Sequence, residues 1–224
     1  MAVKFLSPLP FHALLILFTL FTASQAGDIV VYWGQNGGEG KLIDDARAKA
    51  SRFCCRSEVE PGATLCRAAV LDGIDFDIEQ GEPHYAALAR RLVERSKGGK
   101  KVYLAAAPQC PFPDQKLNGA LSTGLFDFVW IQFYNNPQCE YDTNNPNSFK
   151  GSWTKWVQSI PAQKFFVGLP ASKAAASNGY IPKEVLINQV LPFVKGSSKY
   201  GGIMLWDRFN DLNSKYSDAV RGSV

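Results

Sequence analysis

Six apolar runs divide the chain, at residues 28–33, 70–78, 101–106, 128–134, 164–168 and 202–206. Most are continuous rather than alternating and are bounded by turn residues. That is the pattern of parallel strands buried on both faces. Helical periodicity fills the intervals. Residues 82–96 carry Tyr85, Leu88, Ala89 and Leu92 at spacings of three and four and stop at Gly98-Gly99. Residues 149–160 and 183–194 read the same way, the latter after Pro182; 42–53 and 214–220 are weaker helical segments. Strands alternating with helices predict βαβ units and one parallel sheet.

The run at 70–78 is different in kind. It reads Asp72-Gly73-Ile74-Asp75-Phe76-Asp77-Ile78-Glu79. On a strand, Asp75, Asp77 and Glu79 share one face and Ile74, Phe76 and Ile78 the other. Stacked carboxylates repel, and folding does not require them, so the arrangement points to chemistry. At the C-terminal end of a barrel strand, Glu79 is nearest a substrate, with Asp77 and Asp75 deeper. Neighbouring charge and partial burial raise a carboxyl pKa. A protonated Glu79 could then donate to a leaving oxygen, as glycosidic cleavage needs. Tyr32 and Trp33, Tyr134 and Trp206 end three other runs on the same predicted rim, where flat rings suit sugar stacking.

Composition narrows the alternatives. The chain has 224 residues, 46% hydrophobic and 20% charged, with a net charge of +4. These are globular values with no basic block, so neither nucleic acid nor a membrane is an expected partner. Residues 1–26 have Lys4, an apolar stretch at 13–21 and small residues through Ala26. They read as a secretory signal peptide cleaved before Gly27, which leaves 27–224 as one domain of a secreted, extracellular or vacuolar monomer. Secretion permits disulfides among Cys54, Cys55, Cys66, Cys110 and Cys139. Cys110–Cys139 is the favoured pair, and Cys66 has Cys54 or Cys55 to choose from. His84 is the one histidine beyond the leader, so His-dependent triads and zinc sites have little to work with. It reads as an exposed helix cap. Gly34-Gln35-Asn36-Gly37-Gly38 lacks the Lys-Ser/Thr of a phosphate loop and the dinucleotide spacing. No cofactor or metal is expected.

Five segments together resemble plant class III chitinases, the hevamine-like branch of glycoside hydrolase family 18. They are Tyr32-Trp33-Gly34-Gln35-Asn36, Leu71 through Glu79, Ala107-Pro108-Gln109-Cys110-Pro111, Gln132-Phe133-Tyr134-Asn135-Asn136 and Gly202-Ile203-Met204-Leu205-Trp206. The resemblance implies a (β/α)8 TIM barrel that hydrolyses chitin with retention. The sugar's own N-acetyl oxygen serves as nucleophile. It implies Glu79 as proton donor, Asp77 orienting the acetamido group, Tyr134 bonding its carbonyl and Asp75 tuning Asp77. Trp206 would floor the sugar, and Tyr32, Gln35, Gln132 and Asn135 would contact substrate. Cys110–Cys139 matches a family disulfide. Some relatives on this scaffold are non-catalytic, carbohydrate-binding or xylanase-inhibiting proteins.

The length departs from the family. The acidic strand is the family's fourth, and three units before it take about 90 residues. Here residues 27–70 supply about half of that. Strands two and three are expected to be missing, giving an incomplete barrel of about six βα units. Residues 41–68 do not resemble the family, and 42–53 are a candidate plug.

Overall fold

The computed structural model describes residues 27–32, 72–80, 84–99 and 101–224. Its centre is a six-stranded parallel sheet. The strands are β1 (Asp28–Val31), β2 (Gly73–Phe76), β3 (Tyr103–Ala106), β4 (Phe128–Gln132), β5 (Lys164–Pro170) and β6 (Tyr200–Trp206). Their spatial order is β1-β6-β5-β4-β3-β2. All six predicted strands are therefore present, with shifted ends. The first stops at Val31, and the acidic one is only four residues long, so Asp77, Ile78 and Glu79 lie beyond it. Trp33, Gln35, Cys54, Cys55, Cys66 and the candidate plug at 42–53 lie outside the described residues.

The continuous apolar runs are explained by two packed faces. Outward residues such as Phe76, Leu104, Val129, Ile131, Val167 and Leu205 join the main core. The helices that cover it are α1 (Tyr85–Ser96), α2 (Asn118–Leu121), α3 (Pro146–Ser159), α4 (Lys183–Val185), α5 (Leu191–Val194), α6 (Arg208–Ser214) and α7 (Tyr216–Val220). The predicted helix at 82–96 begins at Tyr85, with exposed His84 as its cap residue. The predicted helix at 183–194 is one helical run whose middle, Leu186–Val190, widens to π geometry. α2 and α6 were not expected.

Inward residues form a second cluster of Val30, Tyr32, Ala105, Ala107, Trp130, Phe166 and Met204. β1 and β2 stand at opposite ends of the sheet, yet the Tyr32 hydroxyl reaches Asp75. Only a strongly curled sheet allows that contact, so the six described strands form a curled section of a barrel around this cluster.

Candidate active site

β2 sets a gradient of exposure along one side of the chain. Asp75 is 3% exposed, Asp77 half-buried and Glu79 exposed at the rim. The period-two pattern survives past the strand end, because the apolar partners Phe76 and Ile78 still pack into the outer core.

Asp75 is satisfied from two other strands. Tyr32 donates its hydroxyl to Oδ2, and Trp130 donates its indole N–H to Oδ1 at 2.9 Å. The same indole lies 3.2 Å from the Tyr32 oxygen. Burial dominates these bonds and pushes the Asp75 carboxyl up to about 7. The negative field of Asp77 adds to that rise, while the bonds from Tyr32 and Trp130 oppose it. The sequence reading expected partial burial at Glu79. The desolvated carboxyl is Asp75, and Glu79 reaches solvent.

Asp77 accepts a bond from Gln132 Nε2 at 3.3 Å, and the same amide nitrogen donates to the Ala107 carbonyl at 2.9 Å. Gln132 is thus fixed by β3 and aimed at the middle carboxylate. Tyr134 lies two residues beyond it, 6% exposed. Burial raises its pKa well above the ordinary value. The fields of Asp77, Glu79, Asp207 and Asp75 add to this, in that order. Tyr134 therefore keeps its proton and can only act as a neutral hydroxyl. The hydroxyl is thus close enough to the acidic row to feel its charge.

Loops hold Tyr134 in place. Gly179 has φ +84°, and a Cβ there would stand 2.5 Å from Tyr134 Cα. Asn135, at φ 56°, accepts bonds at Oδ1 from the Ser177 and Asn178 amides at 2.9 and 3.4 Å. Its side-chain oxygen is thus already committed to the neighbouring loop. Cys110 and Cys139 are disulfide-bonded, tying the chain after β3 to the chain after β4. Trp206 ends β6 half-buried, its ring 5.2 Å from that of Tyr32 and tilted by 53°. Tyr32 was expected to contact substrate. It is 7% exposed, with its hydroxyl spent on Asp75 and its ring packed against Trp206.

The sequence reading missed two residues. Trp130 precedes Gln132 by two on β4 and so shares its inward face, a signal present in the alternation. Asp207 is buried and caps α6 through Asn210 N at 3.1 Å. An Asp placed before the helical run at 208–214 is a readable cap signal. Among the described residues no group of His, Cys, Asp and Glu is arranged to hold a metal ion.

A rim glutamate above two graded aspartates, with a buried tyrosine within reach of their charge on a parallel barrel section, is a glycosidase arrangement. Residues 57–184 match the family model described as Glycosyl hydrolases family 18. The acidic endochitinase of Phaseolus angularis is 57% identical over 286 residues, covering 94% of both chains. The chain belongs to glycosyl hydrolases family 18. Within the family it groups with the plant class III chitinases.

Among solved structures, the ICChI chitinase from Ipomoea carnea superposes with a TM-score of 0.77 at 31% identity. The match covers 88% of this chain and 100% of that one. The xylanase-α-amylase inhibitor protein XAIP-I, solved in complex with trehalose, matches at TM-score 0.67 and 44% identity. That match covers 69% of this chain and 57% of the inhibitor. An alignment 286 residues long that uses 94% of a 224-residue chain leaves about 75 alignment positions without a residue of this chain. That is about two βα units at ordinary size, the shortfall expected from the sequence.

Proposed function

We propose that this family 18 member hydrolyses internal β-1,4 linkages of N-acetylglucosamine polymers, chitin above all, with retention of configuration. The graded exposure of Asp75, Asp77 and Glu79 along one side of β2 and its continuation, with Gln132 on Asp77 and the buried Tyr134 within reach of their charge, is the observation that supports this reading. Glu79 gives its proton to the glycosidic oxygen as the bond to the anomeric carbon breaks. The acetamido carbonyl oxygen of the same sugar attacks that carbon, forming an oxazolinium ion. Asp77 accepts the acetamido N–H and faces the developing positive charge. Tyr134 donates its hydroxyl to the acetamido oxygen. A water molecule, deprotonated by Glu79, then opens the ring and restores the starting configuration. Asp75, held by Tyr32 and Trp130, sets the charge felt by Asp77. Trp206 floors the sugar, and Gln132, Gln35 and Asn135 line the groove.

The reading includes secretion through residues 1–26, action in the apoplast or vacuole, a role in plant defence, and a monomer that needs no cofactor, nucleic acid or membrane. Among the described residues no strand stands between β1 and β2, and β2 is the acidic strand. Turnover is therefore expected below that of longer relatives. The test is release of fluorophore from a chitotrioside by the secreted protein, abolished in Glu79→Gln. Retained turnover in that variant would remove Glu79 from its role.

A second reading is a carbohydrate-binding or xylanase-inhibitor-like protein without turnover. The likeness to XAIP-I and the shortened barrel favour it. Retention on chitin beads without any cleavage would select it.

A further inference from the structure

Tyr200 opens β6 and is 2% exposed, its ring 6.5 Å from that of Trp153 on α3. Among the described residues, its hydroxyl is the buried side-chain polar atom left without a hydrogen-bond partner. Such groups are rare because losing water without gaining a partner is costly. Gly27 lies against that hydroxyl. A Cβ built on Gly27 would stand 3.1 Å from Tyr200 Oη and 2.9 Å from its Cε1. The Gly27 nitrogen shares the same Cα, so it lies within about 5.6 Å of the hydroxyl. As a peptide nitrogen it has one N–H, fixed in the peptide plane. Freed from Ala26, it would be an ammonium with three rotating donors on a residue without a side chain.

We propose that removal of residues 1–26 creates the missing partner: the new α-ammonium of Gly27 donates to Tyr200 Oη and pins the start of β1 to β6. Water cleaves the Ala26–Gly27 peptide bond. Its oxygen goes to the Ala26 carboxylate, and the nitrogen takes up protons to become –NH3+. β1 pairs with β6 alone among the described strands, so its register rests on that one ladder, beginning at Asp28 opposite Gly202. A contact at its first residue therefore steadies the strand that leads into Tyr32. The inference rests on the secretion reading and goes beyond it to a structural use of the new terminus.

The experiment expresses the full chain in a secreting host and reads the N-terminus by mass spectrometry. A terminus other than Gly27 overturns both the processing reading and the inference. With Gly27 confirmed, a serine inserted between Ala26 and Gly27 moves the ammonium one residue away. It should lower Tm by ~3 °C, about the shift of one hydrogen bond in a chain of this size. In the Tyr200→Phe background the same insertion should cost under ~1 °C. Equal costs in the two backgrounds overturn the docking while leaving secretion intact. The second measurement needs no Tyr200 variant. Labelling by the α-amine reagent 2-pyridinecarboxaldehyde should be at least about fivefold slower at Gly27 than at the inserted serine, as a charge-assisted bond of ordinary strength requires. Equal rates refute it.

Discussion

Tyr32→Phe tests the physical account of the site most directly. The substitution removes one oxygen, while the ring can stay packed on Trp206. Asp75, 3% exposed, then loses one of its two side-chain donors and keeps Trp130 at 2.9 Å. A hydrogen bond to a charged, buried acceptor contributes about 1.5–3 kcal/mol. A value near 2 kcal/mol corresponds to a Tm lower by ~6 °C in a chain of this length. The pH dependence gives a sharper signature. The folded-state Asp75 carboxyl is raised from 3.8 to about 7. Its contribution to stability is therefore fully present below 3.8 and is lost as pH rises to about 7. The Tyr32 bond lowers that pKa, so its removal pushes the carboxyl higher and extends the loss to higher pH. Denaturant unfolding at pH 4 and pH 8 should show a deficit that is small at pH 4 and larger at pH 8. An equal deficit at both, or one below about 0.5 kcal/mol at pH 8, would refute the role given to Tyr32.

Other outcomes follow from the same geometry. Glu79→Gln should leave the unfolding midpoint within about 0.5 kcal/mol of wild type, because Glu79 is exposed, while removing chitotrioside turnover. Gly179→Ala forces a side chain into Tyr134 at a positive φ. It should lower kcat more than it raises KM, checked by steady-state kinetics, with a stability loss above about 1 kcal/mol. Replacing both Cys110 and Cys139 by Ser opens a loop with a sequence separation of 29. Loop entropy predicts about 3–4 kcal/mol lost in urea unfolding. Asp127→Ala strips the acceptor from Leu104 N and Lys101 at the opposite end of the sheet. It should cost about 1–3 kcal/mol in the same assay without shifting the pH profile of any activity.

How much of this was legible in the sequence depends on which interactions are local. The six strands were readable because burial on both faces makes each a continuous apolar run. Their ends were not, since β2 ceases to pair at Phe76 although the alternation continues to Glu79. The order of exposure along Asp75, Asp77 and Glu79 followed from period two and the expected position at a barrel rim. The heavy desolvation of Asp75 did not, because desolvation depends on what covers each carboxyl. Tyr32 and Trp130, 43 and 55 residues distant in sequence, cover Asp75. Motif similarity could name Tyr32 as a site residue, yet only the curl of the sheet buries it against Asp75, Trp130 and Trp206. The same curl explains how a shortened barrel keeps its acidic row together. Tyr32 on the end strand at one side and Asp75 on the end strand at the other meet through the interior, with Trp130 from the middle bonding both. That triad does across the barrel what ladder pairing does along its wall. The contact that satisfies buried Asp75 therefore also joins the first and last strands of the described sheet order.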